Sequence, residues 1–111
     1  MEKALEWVSK RTVSDLKASF DGYENPSAYT NQSSNEDVRP DISFVKDGKR
    51  YHVDIALKSD EKRQLVSRWK ILSVMATMKG GKLYLLAPKG HKMFAQKLVA
   101  NHQIEAIIQS I

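Results

Sequence analysis

Cysteine is absent from the 111 residues, so neither a disulfide nor a thiolate metal site can form, and the redox compartment is left unconstrained. No apolar run approaches the roughly 18 residues that a membrane span needs, and the N-terminus lacks a basic-then-apolar signal. A cytoplasmic location without membrane contact is therefore expected. The 3 histidines, His52, His91 and His102, are scattered without ligand spacing, which argues against a histidine metal site. No serine sits in a nucleophile-elbow pattern. Gly80-Gly81 and Pro88-Lys89-Gly90 match neither a P-loop nor a dinucleotide fingerprint and read as turns.

What remains is ordinary for a globular chain: 41% hydrophobic, 28% charged, with 5 glycines and 3 prolines. Residues 1–111 read as one domain, large enough to bury roughly two-thirds of the unfolded surface. The charge is unevenly placed. Residues 1–40 carry 5 Lys/Arg against 7 Asp/Glu, whereas residues 41–111 carry 13 against 6. A concentrated basic balance favours an anionic partner, nucleic acid first; basic solubility alone is the bland alternative.

The hydrophobic pattern supplies the elements. Leu5, Val8, Leu16 and Phe20 recur at three- and four-residue steps, predicting a helix over residues 2–20 closed by Gly22. Residues 21–39 are polar and nearly free of aliphatics, a long loop with at most a poor strand over residues 27–32. Ile42, Phe44 and Val45 predict a strand, Asp47-Gly48 a hairpin turn, and residues 51–57 its partner. Beyond Ser59-Asp60 the stripe Leu65, Trp69, Leu72 and Ala76 predicts a long helix with Trp69 in the core, stopped at Gly80-Gly81. Residues 83–87 are apolar on both faces, a buried strand. Residues 91–101 read as an amphipathic helix and residues 104–108 as a last strand. The expected class is α/β: a single-domain mixed β-sheet with a central hairpin flanked by helices, in the order α-β-β-α-β-α-β.

The second strand of that hairpin threads charge through itself. Residues two apart share a face of a strand, so Asp54, Ala56 and Lys58 line one side while Val53, Ile55 and Leu57 line the expected core side. Asp41, pinned behind Pro40, arrives from the neighbouring strand. Two carboxylates near an amine can hold Mg²⁺ through oxygen ligands, with the ammonium placed to orient or deprotonate a water. Such a site suits phosphodiester hydrolysis.

Pro40-Asp41, the hairpin, and Asp54 with Lys58 together resemble the PD-(D/E)XK nuclease superfamily, the restriction-endonuclease-like fold shared by Holliday-junction resolvases and repair nucleases. The resemblance implies Asp41 and Asp54 as ligands of Mg²⁺ or Mn²⁺, Lys58 as the catalytic amine, and Glu6 as the helix acid that some members add. It also implies Gln64 or Arg63 as a further polar site residue, and a homodimer. The chain departs from the pattern in one place. The family's second acid stands two residues before the lysine, where this sequence has Ala56, and Asp54 lies about 6.6 Å further back along the strand. Weak or absent cleavage is expected, with Ala56→Glu supplying the missing ligand.

Three readings follow: a metal-dependent nuclease with a shifted acid, a nucleic-acid-binding module that keeps the fold and has lost the chemistry, or an interaction and assembly domain. On the first two, Lys46, Lys49, Arg50, Lys62, Arg63 and Arg68 are expected to border one anion-binding surface.

Overall fold

The computed structural model describes residues 2–31 and 36–111. Its centre is a five-stranded mixed sheet. The chain runs α1 (Glu2–Ser9), β1 (Ser14–Ala18), β2 (Tyr29–Asn31), β3 (Glu36–Val38), β4 (Ile42–Lys46), β5 (Lys49–Ile55), α2 (Lys62–Met78), β6 (Gly80–Ala87), α3 (Lys92–Asn101) and β7 (Ile107–Ser110). The sheet order is β1-β4-β5-β6-β7, and β2 and β3 form a separate two-stranded ribbon. The expected mixed α/β architecture is observed. The expected seven-element order is not, because three short strands intervene between the first helix and the hairpin.

The hairpin has the predicted turn. Asp47 and Gly48 take φ of 54° and 76°, the left-handed pair that lets a two-residue loop follow the twist of its strands. From there β4 and β5 pair antiparallel from Lys46–Lys49 to Ile42–Val53. The crossovers through α2 and α3 then lay β6 parallel to β5, and β7 parallel to β6. Where β6 joins β5 the backbones approach too closely for a side chain: a Cβ on Gly81 would stand 1.8 Å from the Arg50 carbonyl oxygen.

Residues 2–20 are not one helix. α1 stops at Ser9, and Arg11 folds back so that its guanidinium lies 3.4 Å over the Trp7 ring and donates to the Trp7 carbonyl. The chain then re-enters as β1 along β4, with an irregular register around Asp15, whose φ is 47°. The expected loop over residues 21–39 likewise contains β2 and β3; its residues 32–35 lie outside the described residues. The remaining boundaries shift by a few residues, and the last strand begins at Ile107 rather than residue 104.

Both faces of the sheet are buried. Ala4, Leu5 and Val8 of α1 pack on Ile42, Phe44, Val53 and Leu86. On the other face Trp69 and Leu72 of α2, with Ala95 and Leu98 of α3, pack on Ala56, Leu83, Leu85 and Ala87. Leu85 and Leu86, adjacent and each fully buried, fill opposite cores, as a strand covered on both sides requires. Among the described residues no helix is long and apolar enough to cross a membrane.

Candidate functional site

The one buried charge of β5, Asp54, faces inward. Asp54 shares its face with Ala56, beneath α2, and is 2% exposed; Ala56 is fully buried. Leu57, assigned to the core by strand alternation, is 49% exposed, because β5 ends at Ile55 and the alternation ends with it.

Register places the two acids together. Ile42 pairs with Val53, so one further step sets Asp41 opposite Asp54. The contact is reciprocal: the Asp41 N–H donates to Asp54 Oδ1 at 3.3 Å, and the Ile55 N–H donates to Asp41 Oδ2 at 2.9 Å. Pro40 blocks the ladder just before β4, and the Asp41 carboxylate extends it by one bond.

Asp54 is then closed over by α2. Arg68 Nε and Nη2 donate to its two oxygens at 2.8 and 2.7 Å, a bidentate fork, and Trp69 Nε1 donates at 3.0 Å. Arg68 Nη2 also donates to the Arg39 carbonyl at 2.6 Å and lies 3.8 Å from Asp41 Oδ1. With the Asp41 N–H, four donors converge on Asp54, about as many as an ionised carboxylate has lone-pair sites. These hydrogen bonds raise the Arg68 pKa. Asp41 moves the other way from an exposed acid: burial, then the neighbouring Asp54 charge, push its pKa up to about 7.

The acids are direct cross-strand neighbours. Two residues beyond Asp54, on its face, stands Ala56, whereas Lys58 has left the sheet and is exposed, its N–H donating to His91 Nδ1 at 2.9 Å. The cation that meets the carboxylates is Arg68, expected in the sequence as a phosphate contact.

A divalent ion does not fit this arrangement as it stands. Asp54 has its acceptor positions filled, and among the described residues no group of three His, Cys, Asp or Glu could hold a metal ion. Glu6 cannot join them: it is exposed on α1, the helix covering the opposite face of the sheet. Gln64 and Arg63 are exposed in the first turn of α2, and neither forms a hydrogen bond or ion pair with the acids.

The six expected anion-binding cations do not share one surface. Lys46, Lys49 and Arg50 lie at the hairpin end of β4 and β5, and Lys62, Arg63 and Arg68 lie at the other end with Asp41 and Asp54. Arg50 is committed internally, donating to Ser43 Oγ at 2.7 Å and pairing with Asp15, which lowers the Asp15 pKa.

A second polar cluster escaped the sequence reading. His52 is 1% exposed, with Nε2 2.8 Å from the Tyr29 hydroxyl, and Lys79 Nζ donates to that hydroxyl at 3.0 Å. The other ring nitrogen, His52 Nδ1, is buried without a hydrogen-bond partner among the described residues. Burial, then Lys79 and Arg50, lower the His52 pKa to about 4. Only the hydrophobic alternation of β5, which places residue 52 on the same face as residue 54, carried a signal for it. No family model, curated protein or solved structure matches the chain.

Proposed function

We propose that the chain is a nucleic-acid-binding domain on a restriction-endonuclease-like scaffold, with Arg68 standing where a nuclease of that kind would hold its divalent ion. The observation that carries this reading is the Asp41–Asp54 pair closed by the Arg68 fork. Paired acids at the mouth of a hairpin are the nuclease arrangement, and a guanidinium filling the Asp54 acceptors replaces metal binding with an internal ion pair. Ala56 supports the same conclusion, standing two residues beyond Asp54 on its face while Lys58 lies exposed beyond the end of β5. Binding without cleavage is the function this geometry supports best.

The partner follows from charge. The net excess of 13 Lys/Arg over 6 Asp/Glu in residues 41–111 favours a polyanion, and Lys62 and Arg63 stand exposed at the start of α2, the helix that carries Arg68. The test is DNA retention measured against salt, together with plasmid nicking in Mg²⁺ and Mn²⁺. Wild type is expected to retain DNA at low salt and leave plasmid intact. Lys62→Gln with Arg63→Gln is expected to flatten the salt slope by about one per lost phosphate contact. Absence of DNA retention at low salt would leave the assembly-domain reading in its place, and robust nicking would restore the metal-dependent one.

A further inference from the structure

A cleft of about 500 Å³ is lined by Lys58, Gly90, Lys92, Met93, Phe94 and Lys97. It lies where the β5–α2 and β6–α3 connections meet, tied together by the Lys58 N–H to His91 bond. This is the edge outside the carboxyl ends of the parallel strands β5 and β6. The volume is within the range of small-molecule sites.

Two kinds of surface meet in it. Three lining residues are lysines, and none is acidic. Lys58, Lys92 and Lys97 are all exposed and engage no carboxylate among the described residues, so their mutual repulsion is relieved only by solvent or an anion. Between them the lining is apolar. Met93 is 66% exposed and shares a helix face with Lys97 four residues on, while Phe94 is half-buried, its ring held against the core. A free inorganic anion would use the lysines and waste the apolar floor. A hydrophobic ligand would do the reverse.

A nucleotide with its base unpaired uses both: phosphates against the lysines, base face on Met93 and Phe94. A duplex cannot, because its base faces are stacked within the helix, whereas single strands offer them to apolar and aromatic side chains. We infer that this cleft binds an unpaired nucleotide of single-stranded nucleic acid, with the strand continuing past the Asp41–Asp54 pair toward Lys62 and Arg63. The inference rests on the nucleic-acid reading above and adds to it the strandedness of the partner and a new set of contact residues.

The experiment measures Kd by fluorescence anisotropy for a labelled 15-mer of deoxythymidine and for a duplex of equal length, from 50 to 200 mM salt. Wild type, Lys92→Gln/Lys97→Gln, Met93→Ser and Lys62→Gln/Arg63→Gln are compared, with thermal melts confirming that each is folded. Wild type is expected to prefer the single strand. Loss of Lys92 and Lys97 is expected to lower the single-strand salt slope by about 1.4, which amounts to roughly 25-fold in affinity at 0.1 M salt. Met93→Ser is expected to weaken single-strand binding several-fold and leave duplex binding unchanged. Equal binding of both probes, or an unchanged slope in Lys92→Gln/Lys97→Gln while Lys62→Gln/Arg63→Gln loses affinity, overturns the cleft assignment and leaves nucleic-acid binding standing. Failure of wild type to bind either probe overturns both.

Discussion

Replacing Arg68 by alanine removes two of the four donors that hold Asp54, and the only cation among them. The side chain of Asp54 is 3% exposed, so the carboxylate would stay largely buried beside Asp41 with its charge uncompensated. Breaking a buried pair from one side costs about 3–5 kcal/mol. Arg68 is itself 31% exposed, so water enters the vacated space and the low end of that range applies, about 3 kcal/mol. For a chain of this length that corresponds to a fall in Tm of roughly 12 °C. Urea unfolding of wild type, Arg68→Ala, Asp54→Asn and the double variant measures it, and the cycle should return a coupling of roughly 1–3 kcal/mol. A loss below 1 kcal/mol in Arg68→Ala, with no coupling to Asp54, would refute the claim that this pair organises the site.

The protonation of His52 sets a pH dependence. Its folded pKa of about 4 lies below the ordinary 6.5, so the unfolded chain binds more protons between those values and stability is lost as pH falls from 6.5 through 4, by up to about 3 kcal/mol. Asp41 acts oppositely: with its folded pKa raised from 3.8 to about 7, its contribution is full below pH 3.8 and lost as pH rises through 7. Urea midpoints of wild type, His52→Leu and Asp41→Asn at pH 4.5, 6 and 7.5 should therefore change with pH in opposite senses when each variant is compared with wild type. Ala56→Glu, which the sequence pattern alone recommends as a restored ligand, would place a carboxylate at a fully buried core position; a Tm loss of more than 10 °C without gained nicking is expected. Gly81→Ala would drive a Cβ into the Arg50 carbonyl, and soluble yield and melting temperature should both drop sharply, since only the β5 and β6 backbones can give way.

The hairpin, the long helix and the doubly buried strand were legible because each carries a local rule: Asp47-Gly48 for the turn, the Leu65–Trp69–Leu72 stripe for α2, and continuous apolarity for β6. β1 was not legible. It is an edge strand with a bulge at Asp15 and a single fully buried residue, Ala18, so it shows no alternation, and Leu16 and Phe20 extended the helical spacing of α1 by chance. The acid pair itself could be read from Pro40-Asp41 and Asp54, since cross-strand register follows once the turn is known. The partner of the pair could not. Alternation predicts one open face on a half-covered strand, whereas β5 lies between two layers of helix, and that is why Asp54 points into a core and needs Arg68. Nothing local marks Arg68 over Arg63 or Lys70; the choice is made by where α2 crosses β5.

The most direct test of the central claim is calorimetric titration of wild-type protein with Mn²⁺, alongside the Asp41→Ala and Asp54→Ala variants. With the Arg68 fork filling the Asp54 acceptors, the account predicts no saturable binding up to low-millimolar Mn²⁺ and identical traces for all three proteins. Saturable binding by wild type that disappears in both variants would contradict it.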